Sequence, residues 1–207
     1  MPADRRLLKE ELGTAPGADL QAFHRLLLDE GTPAPADDGS RARIILFTDL
    51  EGSTALVQRL GDKGGMELLR IHDAIVRDAL VRHAGREVKH TGDGIMASFR
   101  SVKAALHSAV DIQRGFGAHN ASREPPLNVR IGISAGEPLA EGGDLFGATV
   151  QLAARLCDYA DPGMIVVSGV VRDLAIGKGF VFGPSGEASL KGFPDPVTLC
   201  EVAWSTT

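Results

Sequence analysis

Two short apolar runs in this chain each end in an aspartate held by a glycine-bearing turn, and few folds can accommodate both. In IILFTDLEGST, Asp49 stands where the buried-type run Ile44–Phe47 ends and Gly52-Ser53-Thr54 opens a helix. In EVKHTGDGIMASF, Asp93 sits at the tip of a Gly92-Asp93-Gly94 turn between two strand-like segments, Arg86–His90 and Ile95–Phe99. Two carboxylates delivered this way are hard oxygen donors. They suit Mg²⁺ or Mn²⁺, which prefer oxygen ligands and keep phosphate as a co-ligand.

The alternation around these turns sets the fold class. After the first strand, Met66–His83 carries helical spacing, with Leu68, Ile71, Ile75 and Ala79 on one face. The hairpin follows, then a helix over Val102–His119. Asn128–Ser134 is a strand in which Val129, Ile131 and Ile133 alternate with polar or small residues. A third helix spans Gly147–Tyr159, and strands at Met164–Val167, near Phe180–Phe182 and at Val197–Val202 complete the pattern. The order is βαββαβ with additional C-terminal strands. It predicts an α/β (α+β) ferredoxin-like sheet with helices on one face.

Residues 41–207 form this domain, and residues 1–40 differ from it. Asp4–Leu12 and Asp19–Glu30 have helical spacing, with Leu20, Phe23, Leu26 and Leu27 in one stripe, and GTPAPADDGS then reads as a linker. That segment is expected to be a helical hairpin packed on its own domain or on a partner subunit, with a regulatory helix as the alternative.

Composition excludes several classes. The 207 residues carry a net charge of −5 with Lys and Arg scattered, so nucleic-acid binding has no electrostatic footprint. No apolar stretch approaches the roughly 20 residues of a membrane span, and the N-terminus lacks a signal-peptide core. Cys157 and Cys200 form neither a disulfide framework nor a metal spacing. A cytoplasmic protein is the expectation.

Each chemical motif also has an ordinary structural explanation. Asp49 is equally readable as a turn residue, and Ser53 or Thr54 as a helix cap. The competing reading is a phosphate site on the free N–H groups of the helix start. Asp-Gly is a favoured hairpin turn in its own right. Lys89 precedes Asp93 by four residues, about 13 Å along an extended strand, and serves either a long ligand or only solvent. Gln151 and Arg155 are four apart and share a helix face. Arg155, set in an apolar stretch, either snorkels to solvent or awaits an anion. Asp144 is readable as a charge complementing the start of that helix.

Taken together, FTDLEGST, EVKHTGDGIMASF and DLFGATVQLAARL resemble the catalytic domain of class III nucleotidyl cyclases, the adenylyl and guanylyl cyclases. The resemblance runs from about Arg43 to Trp204, in order and spacing. It implies a nucleotide cyclase fold, two divalent cations (Mg²⁺ or Mn²⁺) and a homodimer with shared active sites. Asp49 and Asp93 match the paired metal ligands, with the Leu50 carbonyl as a further ligand. Lys89 matches the purine-reading position and Asp144 its partner. Arg155 matches the arginine that stabilises the transition state. Lys191, in LKGFPDP, falls near a polyphosphate-binding lysine. The implied reaction is attack of the ribose 3′-OH on the α-phosphorus with loss of pyrophosphate, two cations assisting.

A Lys donor and an Asp acceptor complement adenine, which offers an acceptor at N1 and a donor at its 6-amino group. Guanine reverses both, leaving mismatched contacts at roughly 1–3 kcal/mol each. ATP is therefore the expected substrate and cyclic AMP, a signalling product, the expected outcome. One position departs from the family, which mostly carries Asn where this chain has Gln151, a residue that orients the ribose. A misplacement near 1 Å costs on the order of 100-fold in rate. Slower turnover is expected, with a weak or inactive nucleotide-binding and dimerisation module as the alternative. An NTP hydrolase using the same metals is a third reading. The Gly142-Gly143-Asp144-Leu145-Phe146 run is only superficially similar to the signature of diguanylate cyclases, since Gly92-Asp93-Gly94 already fills the central hairpin.

Overall fold

A computed structural model describes residues 42–124 and 126–204. The helices and linker expected in residues 1–40 lie outside these described residues. Within them the chain forms a mixed seven-stranded sheet, a separate two-stranded hairpin and four helices.

The interior strand β1 (Arg43–Leu50) is apolar on both faces, as a strand covered on both sides must be. It leads through Gly52 into α1 (Ser53–Arg82), and β2 (Arg86–His90) and β3 (Ile95–Phe99) form the expected hairpin. Next come α2 (Val102–Asn120) and β4 (Val129–Gly136). β1 pairs antiparallel with both β3 and β4, and β2 with β3, giving the order β2-β3-β1-β4. This is the ferredoxin-like core that the element order predicts.

Beyond it, β5 (Leu139–Glu141) and β6 (Asp144–Phe146) make the small hairpin, followed by α3 (Ala148–Tyr159). β7 (Ile165–Ser168) joins the sheet parallel to β4. After α4 (Gly169–Leu174), β8 (Gly186–Ala188) and β9 (Val197–Glu201) extend that edge. No described helix is long and apolar enough to cross a membrane.

Several expectations need correction. The helix that opens at Gly52-Ser53-Thr54 and the periodic segment Met66–His83 belong to one element, Ser53–Arg82, kinked where Gly61 adopts φ 69° and ψ 175°. That break interrupts the apolar spacing, so only the segment beyond it is periodic in the sequence. The strand expected near Phe180–Phe182 is a single bridge between Phe182 and Val202. The third strand of that edge is instead the exposed Gly186–Ala188 segment, which is too short to alternate. Asp144 lies on β6 and does not merely precede a helix.

The helices also do not share one face. Ile44, Leu46 and Leu50 pack with Val76, Ala79 and Leu80 of α1 and Ala105, Leu106 and Ile112 of α2. The alternate residue Ile45 packs with Met96 and with Ala153 of α3. Successive strand residues point to opposite faces, so α3 covers the side that α1 and α2 leave open. A glycine fixes how closely it does so. A Cβ at Gly132 of β4 would stand 2.1 Å from the Cys157 nitrogen and 2.3 Å from the Ala153 carbonyl oxygen, so α3 lies directly on strand backbone. The Cys157 thiol is buried in this contact and its pKa is pushed up by burial.

Gly132→Ala should therefore push α3 off the sheet and destabilise the domain by about 1–3 kcal/mol, the usual cost of overpacking. Urea unfolding would measure it, and an unchanged midpoint would contradict the contact.

Candidate active site

The main-chain pairing of β1 with the β2–β3 turn brings Asp49 and Asp93 to the same end of the sheet. Leu50 N–H donates to the Asp93 carbonyl at 3.1 Å, and Thr91 N–H closes the turn on the Gly94 carbonyl at 2.8 Å. Gly94 is required here, because a Cβ would stand 1.9 Å from the Thr48 carbonyl oxygen. The two aspartates are close enough for Asp93 to disfavour the charge on Asp49.

Ser53 and Thr54 do not cap α1, whose first turn has no side-chain cap. Gly52 starts the helix in a left-handed conformation (φ 62°), and the Ser53 hydroxyl instead donates to Asp93 Oδ2 at 2.5 Å. A capping role for Ser53 is thereby replaced by orientation of an acidic side chain. Thr54 is exposed beside it, and the Leu50 side chain is buried in the core.

Arg130 was not singled out by sequence. It lies opposite Asp49 in the β1–β4 register, and its guanidinium donates to Asp49 Oδ2. Its Nε is buried with no hydrogen-bond partner. Burial pushes the Asp49 carboxyl above its ordinary pKa, and the negative charges of Asp93 and Asp158 add to that, against the pull of Arg130. The available signal was a charged residue alternating with Val129 and Ile131 inside a strand.

A second group of contacts unites Lys89 and Asp144, residues of β2 and β6. The Lys89 ammonium lies 2.7 Å from Asp144 Oδ2. Lys89 and the Leu145 N–H (2.7 Å) hold the Asp144 carboxyl below its ordinary pKa. The Phe146 ring lies 5.4 Å from the same ammonium, a cation–π distance.

The third group centres on α3. Arg155 Nε donates to the Lys191 carbonyl at 3.1 Å, and its Nη1 to Asp158 at 2.9 Å. Sequence spacing anticipated Gln151 and Arg155 on one face but missed Asp158. Gln151 is exposed one turn before Arg155.

These observations decide how the site relates to known proteins. Residues 40–200 match the family model described as the adenylate and guanylate cyclase catalytic domain. The chain belongs to the class III nucleotidyl cyclases. An uncharacterized protein of Mycobacterium tuberculosis is 38% identical over 157 residues, covering 75% of this chain and 40% of that protein. An adenylate cyclase of Glutamicibacter nicotianae is 28% identical over 168 residues, covering 81% of this chain and 40% of that one. The chain thus spans about two fifths of the length of both relatives. Among solved structures, the guanylyl cyclase Cya2 superposes with a TM-score of 0.71 at 25% identity, covering 78% of this chain and 91% of that chain. The cyclase fold is shared with relatives named for either nucleotide.

The family typically uses divalent metals. Among the described residues no three His, Cys, Asp or Glu side chains converge as a metal cluster. The residues present fit such a metal: Asp49, half-buried with its charge disfavoured, stands near a second acid, and two carboxylates of this kind would suit a hard cation.

Beneath the turn, His72 is fully buried against Phe116, with its ring bonded to Thr48 and Asp73. Burial holds its pKa below the ordinary 6.5 despite Asp73. Below 6.5 protons therefore bind the unfolded chain in preference to the folded one. Stability should be fully present above pH 6.5 and be lost as pH falls through and below it. Urea unfolding across that range would show the decline, and His72→Gln should flatten it; an equal slope in the variant would assign the decline elsewhere.

Proposed function

We propose that this cyclase domain is an adenylyl cyclase that converts ATP to 3′,5′-cyclic AMP and pyrophosphate at sites shared across a homodimer. The observation that carries the choice of nucleotide is the 2.7 Å Lys89–Asp144 contact. It offers a donor and an acceptor side by side, matched to N1 and the 6-amino group of adenine. Guanine would leave both unmatched, at roughly 1–3 kcal/mol each.

In this reading Asp49, Asp93 and the Leu50 carbonyl hold the cations. When bound, these make the ribose 3′-OH more acidic and neutralise charge on the triphosphate. Ser53 keeps one Asp93 oxygen oriented by its hydrogen bond. Arg130 balances the charge of Asp49. The start of α1 at Gly52, Ser53 and Thr54 presents backbone N–H groups to phosphate. The 3′-oxygen forms a bond to the α-phosphorus and the bond from that phosphorus to pyrophosphate breaks, the hydroxyl proton passing to solvent. Arg155 stabilises charge on the phosphorus centre. Lys191, whose carbonyl already anchors Arg155, binds the departing polyphosphate. Gln151 orients the ribose.

Two copies in head-to-tail arrangement place the Asp49–Asp93 group of one against the Lys89–Asp144 and Arg155 groups of the other. The exposed Leu139 and Phe146 of the β5–β6 hairpin offer this arrangement apolar surface.

Purified chain incubated with Mn²⁺ and either ATP or GTP should yield cyclic AMP from ATP, and Asp93→Ala should lose at least 100-fold of that activity. A linear nucleotide product would mean a hydrolase. Binding without turnover would mean a non-catalytic module, with the extra methylene of Gln151 as its cause. The double variant Lys89→Glu/Asp144→Cys should shift the ATP-to-GTP ratio of kcat/KM toward GTP by about tenfold or more. An unchanged ratio would remove these two residues from base recognition.

A further inference from the structure

Behind the Gly92–Gly94 turn lies a polar network that the proposed chemistry does not use. Thr48 Oγ1 accepts the Ile95 N–H at 2.9 Å and lies 3.2 Å from His72 Nε2, to which it donates when the neutral ring carries its proton on Nδ1. The Asp73 carboxylate only accepts, so His72 holds its proton on Nδ1 and donates it to Asp73 Oδ1 at 3.1 Å. A second branch reaches the same oxygen. His90 Nδ1 accepts the Gly92 N–H at 3.2 Å, and its Nε2–H donates to Asp73 Oδ1 at 3.0 Å. The other Asp73 oxygen takes Arg77 at 3.0 Å, and Arg77 is itself gripped by Glu87 of β2 at 2.7 and 2.9 Å.

One carboxylate oxygen on α1 thus gathers two chains of hydrogen bonds. They end on the amides of Gly92 and Ile95, one on each side of Asp93. Two glycines flank that aspartate and would otherwise leave its backbone many conformations. We infer that Asp73 is a positioning residue, which through His72–Thr48 and through His90 fixes the turn that aims Asp93 at its cation. The inference rests on the proposed role of Asp93 as a metal ligand. Outer partners of this kind typically change metal affinity when removed, by about 10–100-fold.

The test is Mn²⁺ binding to the full chain, read by electron paramagnetic resonance with α,β-methylene-ATP present and thermal melting measured in parallel. Asp73→Ala should weaken Mn²⁺ binding by about tenfold or more. His90→Ala, at the exposed end of the network, should weaken it with an unaltered melting temperature. The double variant should bind no worse than Asp73→Ala alone, because both act through one oxygen. Asp73→Asn keeps an acceptor oxygen for both rings while setting its NH2 group against Arg77, and should restore part of the affinity that Asp73→Ala loses. Unchanged Mn²⁺ affinity in a folded His90→Ala chain would overturn the inference. So would additive losses, or Asp73→Asn binding as weakly as Asp73→Ala. If the unsubstituted chain bound no Mn²⁺ with the analogue, the proposed function itself would fall; Mn²⁺ bound but indifferent to these variants would fell the positioning role alone.

Discussion

The pairing of β1 with β3 on one side and β4 on the other is the constraint on which the site depends. It buries β1 on both faces, so the run Ile44–Leu46 has one register in which every apolar side chain finds a core. That register sets Asp49 opposite Arg130 and carries the chain on to the Leu50–Asp93 backbone bond. A slip by one residue would turn Asp49 toward the α1–α2 core and leave Arg130 facing nothing. Fold and acidic site are thus fixed by one hydrogen-bond ladder.

Charge in the site is arranged in pairs. Asp49 meets Arg130, Asp93 meets the Ser53 hydroxyl, Lys89 meets Asp144, and Arg155 meets Asp158. Such pairing keeps partly buried acids and bases tolerable in the folded chain. In the proposed function, a triphosphate with its cations would enter by exchanging partners and not by filling bare charges. The exposed pairs exchange at small cost, since surface ion pairs contribute only about 0–1 kcal/mol.

Local signals in the sequence were legible and long-range ones were not. The hairpin at Arg86–His90 and Ile95–Phe99 follows from a Gly-Asp-Gly turn between alternating segments, and its limits agree with the structure. The shared face of Gln151 and Arg155 follows from helical spacing. By contrast, the bond from Ser53 to Asp93 spans 40 positions and that from Arg130 to Asp49 spans 81. No periodicity encodes such partners; they appear only once the sheet order is known. The same holds for α3, whose apolar stripe declares that it packs but not on which face. Resemblance to a family, not spacing, brought Lys89 and Asp144 together before the structure did. The kink at Gly61 hid the continuity of α1 from its start at Gly52-Ser53-Thr54 to the periodic segment beyond Met66, because a helix that changes direction also changes the phase of its apolar stripe.

The seat of α3 on Gly132 has a mechanical meaning. Where helix and strand touch backbone to backbone, no side chain lies between them to be repacked, and the helix has nowhere to retreat. Gln151 stands exposed on such a helix, so its extra methylene is accommodated by its own rotamers and not by a shift of the helix.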